Sequence, residues 1–145
     1  MTLITDVPAT RHRPSVPRGR DRIAQSLLWV AAAGAGASAA ASVSTILQAS
    51  GATAMVETWR GYGYLVFAGL FVLLALRPHR YRGVWELVIA NKVALAATAL
   101  AFAARGGIAG TGSIIIWDGG LSVLLIAAYL TCRGWSRAPE AGAAP

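Results

Sequence analysis

Four apolar runs, at residues 23–47, 58–76, 84–104 and 113–132, decide what this chain can become. Each is close to or above the roughly 20 residues with which an α-helix crosses a bilayer. No water reaches the backbone inside hydrocarbon, so every N–H and C=O of such a run must be satisfied within the helix. The runs therefore predict an all-α, polytopic membrane protein whose four transmembrane helices form an up-down bundle. Of the 145 residues, 56% are hydrophobic and 13% charged, against about 45–50% and about 25% in soluble domains. That balance argues against a water-soluble fold.

The four runs are not alike. Ala31 to Ser44 in the first is almost entirely Ala, Gly and Ser, which makes its transfer into lipid weak beside a Leu-rich span. Gly34, Ser38 and Ser42 recur every fourth residue, as do Gly36, Ala40 and Ser44, and such small-xxx-small spacing lets another backbone approach closely. These six are the candidate helix-packing residues. The second run holds the most hydrophobic stretch of the chain, with Leu65, Val66, Phe67, Leu70, Phe71 and Val72, and stops before Pro78. Trp59, Tyr62 and Tyr64 at its head suit a membrane interface. The third run carries Glu86, Asn91 and Lys92, and the fourth carries Asp118.

Outside the runs, residues 1–22 hold Pro8, Pro14, Pro17 and five arginines with few large apolar residues, which predicts a disordered basic cytoplasmic tail. Residues 133–145 form a second short cytoplasmic tail. Twelve of the thirteen basic residues are arginine, and Lys92 is the only lysine. Ten arginines fall in the two tails and the turn after the second run (Arg77, Arg80, Arg82), while Arg60 and Arg105 stand alone near the other two connections. By the positive-inside rule this asymmetry puts both termini in the cytoplasm of a multi-pass inner (plasma) membrane protein. A net charge of +7 spread in this way does not make the basic stripe that nucleic-acid binding requires; the bilayer is the expected partner. One alternative is a cleaved signal peptide followed by three helices, but the first run exceeds the roughly 7–15 residues of a signal core.

Ionisable groups inside the bilayer are expensive and mark pairing or function. Lys92 falls about 13 Å into the third span at 1.5 Å per residue, near the midplane. Glu86, at about 5 Å, reaches the interface, where Arg82 one turn earlier is its natural partner. Asp118 has two candidate partners. Lys92 has a flexible stem but lies deeper, while Arg60 matches it in depth, and Trp59-Arg60-Gly61 mirrors Trp117-Asp118-Gly119. Asn91, Lys92, Thr98 and Arg105 make one polar sector of the third helix, expected to face the bundle interior. Lys92, Asp118, Asn91, Arg60 and Glu86 are thus the candidate intramembrane polar or ion-pair residues, with Trp117 beside them.

No nucleophile–base pair, phosphate-binding loop or metal-ligand spacing is present in the sequence, and no catalytic residue, metal or cofactor is expected. His12 and His79 read as solvated histidines. The lone Cys132 cannot close an intrachain disulfide, and its place at a helix end reads as packing. A basic turn, Leu-Ala-Leu-Arg-Pro-His-Arg-Tyr-Arg at 74–82, followed by a polar third helix, resembles small four-helix bacterial membrane proteins of the DoxX-like kind. The resemblance covers about residues 23–132 and implies an inner-membrane protein. Two functions fit the sequence. The first is a structural or accessory protein that packs with itself or a partner complex through the small residues of the first helix. The second is a small transporter or binding protein for a lipid-soluble molecule, using the polar face of the third.

Overall fold

The structure, a computed structural model, describes residues 18–132, so the tail residues 1–17 and 133–145 lie outside it. The described chain is all α-helix and connecting turns: α1 (Arg18–Gln48), α2 (Gly51–Leu76), α3 (Arg82–Ala104) and α4 (Thr111–Cys132). All four are long and apolar enough to cross a membrane. Even the shortest, α4 with 22 residues, is about 33 Å long at 1.5 Å per residue, against a hydrocarbon core of roughly 30 Å. The chain is a multi-pass integral membrane protein. Large apolar side chains such as Val66, Leu87, Ile116 and Val123 point outward, as lipid contact requires.

All four helices start before the apolar runs do, α1 and α2 by the most. The expected tail over 1–22 gives way to helix at Arg18, and the loop expected between 47 and 58 shrinks to Ala49 and Ser50. Hydropathy marks where lipid is crossed, whereas a helix continues for as long as its hydrogen bonds do. The Ser50 carbonyl accepts from the amides of Thr53 and Ala54 at 2.9 and 2.8 Å, so the first turn of α2 forms from Gly, Ala and Thr without lipid contact. At the α3–α4 connection the amide of Gly107 reaches back to the Phe102 carbonyl (3.1 Å). Gly106 there has φ 109°, a conformation that favours glycine.

The short connections make sequential helices antiparallel. α1 packs mainly on α2, α3 mainly on α4, and α1 also on α4, while α2 and α3 touch sparsely. The helices therefore stand in the order α2, α1, α4, α3 around the bundle. One end carries the start of α1, the α2–α3 turn and the end of α4; it is rich in arginine. The opposite end carries the α1–α2 turn and the glycine-rich α3–α4 loop.

The main hydrophobic cluster lies in the arginine-rich half. It consists of Ala24, Leu28, Ala31, Ala32 and Ala35 of α1, Phe71, Leu74 and Ala75 of α2, Trp85 and Val88 of α3, and Leu125, Ala128 and Cys132 of α4. Lipid is as apolar as these side chains, so close packing rather than burial from water holds them together. The alanines of α1 make room for the large rings. Trp85 is fully buried, donates from Nε1 to the Pro78 carbonyl at 2.8 Å, and tilts against Tyr129 with ring centroids 5.6 Å apart. Beyond the core, α1 and α2 stay close through Ser42 and Gly61. A Cβ on Gly61 would lie 2.8 Å from Ser42 Oγ and 3.1 Å from Ile46 Cδ1.

Candidate functional site

The side of α3 that faces its neighbours runs through Trp85, Val88, Lys92 and Ala99, all buried. Their spacing of three, four and seven residues traces one helical stripe. Lys92 therefore enters the bundle by register, at about 15 Å from the start of α3. Asp118 stands about 10 Å inside α4, on the side turned towards α3. The two meet: Lys92 Nζ donates to Asp118 Oδ1 at 2.7 Å, with the side chains 8% and 17% exposed. The ammonium also sits 4.2 Å from the centroid of the Phe67 ring on α2. That geometry is a cation–π contact, strongest when both groups are withdrawn from water. On α4, Ser122 Oγ donates to the Asp118 carbonyl at 2.7 Å, one turn on.

The other candidates lie elsewhere. Arg60 pairs with Glu57 on its own helix at 3.0 Å and not with Asp118. Glu86 takes Arg82 at 2.9 Å and Tyr129 Oη at 3.4 Å at the arginine-rich end, and the Arg82–Glu86 pair is exposed. Asn91, Thr98 and Arg105 are exposed, so the polar sector does not enter the interior as a unit. Asn91 sits about 100° from Lys92 around the helix, and α3 has too little contact with α2 to cover that flank. Among the small residues of α1, Ser42 packs on Gly61, Gly34 and Ser38 are exposed on the wall of the cleft described below, Gly36 is half-buried, and Ala40 and Ser44 are exposed.

Where the core ends, the helices part around a cleft of about 700 Å³. Gly34, Ser38 and Ala41 of α1, Tyr64, Phe67 and Phe71 of α2, and Ser113, Trp117 and Leu121 of α4 form its walls; the Lys92–Asp118 pair lies between them. The volume falls within the roughly 300–1,000 Å³ of small-molecule sites, which are likewise mostly apolar with a few convergent polar groups. Some wall residues are largely exposed: Val30 at 64%, and Ile116 and Trp117 at 72% each. All three come from α1 and α4, while the α2 residues of the wall are half-buried or buried. The exposed part of the cleft wall is thus made by α1 and α4, within the length of the membrane-spanning helices.

Sequence reasoning missed Phe67, because nothing in its spacing tells which side of the all-apolar α2 faces Lys92. It also missed the contact of His79 Nε2 with Asp21 Oδ1 at 3.2 Å, which ties the start of α1 to the α2–α3 turn. Asp21 falls in the segment read as tail, so no signal placed it there. Among the described residues, no three His, Cys, Asp or Glu side chains come together as metal ligands would.

No family model, curated protein or solved structure matches this chain.

Proposed function

We propose that this protein binds a lipid-soluble molecule in the cleft between α1, α2 and α4. The observation that carries this is an intramembrane ion pair on the wall of a mostly apolar cleft whose exposed wall lies within the membrane-spanning helices. Were the pair only structural glue, tight packing around it would serve best, because dispersion contacts are what hold membrane helices together. Instead the alanines, serines and glycine of α1 stand back from α4 at this level, and a Cβ on Gly34 or Gly120 would meet nothing within 4 Å. The arginine distribution supports an orientation with both termini in the cytoplasm.

The test compares purified wild type with Gly34→Leu and Gly120→Leu, which fill the cleft without touching the pair. Organic extraction followed by mass spectrometry is expected to show a lipid-soluble molecule retained near one per chain by wild type and lost from both variants. Equal retention by all three proteins overturns the reading.

A second reading, an accessory protein that packs with itself or a membrane complex, is favoured by Ala33, Ala40 and Ser44. These small residues are exposed on α1 and turned away from the other helices. Oxidation of an Ala40→Cys variant in membranes tests it: a disulfide-linked dimer supports self-association through this face.

A further inference from the structure

The Lys92–Asp118 pair is balanced in charge but not saturated in hydrogen bonds. Lys92 is committed on two sides, to Asp118 Oδ1 at 2.7 Å and to the Phe67 ring at 4.2 Å. Asp118 is committed on one. Its Oδ2 accepts no hydrogen bond from any described residue. Among the described residues no buried side-chain nitrogen or oxygen lacks a partner, so this oxygen is one that can be reached, and Asp118 lines the cleft. The cleft therefore presents a free carboxylate oxygen on a mostly apolar wall.

The charge of the pair decides what that acceptor can take. A carboxylate or phosphate head would meet the charge of Asp118 and compete with it for Lys92. An alkylammonium head would meet Lys92 in the same way. In surroundings of low dielectric either encounter is costly. A hydroxyl can donate to Oδ2 while the pair stays intact and the local charge stays at zero. The cleft follows α4 from Ser113 to Leu124 and α1 from Val30 to Ala41, about 16 Å on each helix at 1.5 Å per residue. That length suits an extended alkyl chain, with about 9 Å of it between Asp118 and Leu124. Resting on the lipid-binding reading above, we infer that the cleft selects a single-chain lipid alcohol. Its hydroxyl donates to Asp118 Oδ2 and its chain lies against Phe67, Phe71, Leu121 and Leu124.

The experiment measures displacement of tritiated 1-dodecanol from the full chain in phosphatidylcholine nanodiscs. Unlabelled dodecanol, dodecanoate, dodecylamine and dodecane serve as competitors. Dodecanol is expected to compete at least about tenfold better than each of the other three, the ratio that one well-placed hydrogen bond produces. Displacement by dodecane equal to that by dodecanol overturns the role of the hydroxyl, and a better result for dodecanoate or dodecylamine overturns the charge argument. Either result leaves the cleft a lipid site. An absence of saturable dodecanol and dodecane binding overturns the lipid-binding reading and this inference with it. In Asp118→Asn the uncompensated Lys92 is expected to move the preference to dodecanoate, and an unchanged order in a folded variant counts against the assignment.

Discussion

Lys92 and Asp118 carry opposite charges in a region where either alone is costly, by about 2.5–3.5 kcal/mol on insertion scales. Removing one partner strands the other. Lys92→Leu and Asp118→Leu are each expected to lower stability by on the order of 3 kcal/mol, whereas the double variant, with no charge to compensate, should lie closer to wild type than either single. Reversible unfolding in mixed micelles measures this, and additive losses in the double variant would show that the pair is not coupled. Much of this pair was visible beforehand, because the only lysine of the chain lies deep in an apolar run and Asp118 lies in another. The choice between Lys92 and Arg60 was not visible. Depth along the membrane favoured Arg60, but depth says nothing of azimuth, and α3 is the neighbour of α4 while Arg60 is held by Glu57. The same blindness to azimuth hid Phe67 and left Asn91 misplaced.

Contact between α1 and α2 at the glycine-rich end depends on one missing methyl group. In Gly61→Ala the new Cβ would stand 2.8 Å from Ser42 Oγ, which is itself bound to the Ala39 carbonyl at 2.6 Å and so has little freedom to turn away. The variant is expected to lose about 1–3 kcal/mol, the usual range for overpacking. Adding Ser42→Ala removes the nearest atom and should recover part of that loss, a non-additivity that marks direct contact. Gly69 on the same helix has open space where its Cβ would be. Gly69→Ala should therefore match wild type or exceed it by up to about 1 kcal/mol through helix propensity. Thermal unfolding of these three variants and of Ser42→Ala alone, in one detergent, separates these outcomes. From sequence, the small-xxx-small pattern of α1 announced a close approach but not its partner, and Gly61 stands outside any such repeat. Helix existence and order were legible from hydropathy, while the starts of α1 and α2 were not, because Arg18 to Arg22 and Gly51 to Glu57 form helix for reasons of backbone bonding that hydropathy does not record.

Taken whole, the molecule is asymmetric along its axis, and two independent features point the same way. The packed core of Leu28, Phe71, Trp85 and Leu125 lies in the arginine-rich half, and the cleft lies beyond it towards the glycine-rich end. Core and cleft are matters of packing, while the arginines bear on topology, since they resist transfer across the membrane. If the arginine-rich end faces the cytoplasm, the core seals the cytoplasmic half and the Lys92–Asp118 pair is reached from the lipid or from the far leaflet. Orientation can be measured with single cysteines at exposed positions, because native Cys132 is buried. Ser50→Cys in the α1–α2 turn and Ile108→Cys in the α3–α4 loop are expected to react with a membrane-impermeant maleimide in intact cells. Arg80→Cys in the α2–α3 turn should react only after permeabilisation. The reverse pattern would invert the protein and place the sealed half outside. Labelling of all three positions in intact cells would mean that arginine count does not set a single orientation for this chain. The expected pattern would further imply that a molecule entering between α1 and α4 arrives from the bilayer side of the cleft without crossing the arginine-rich surface.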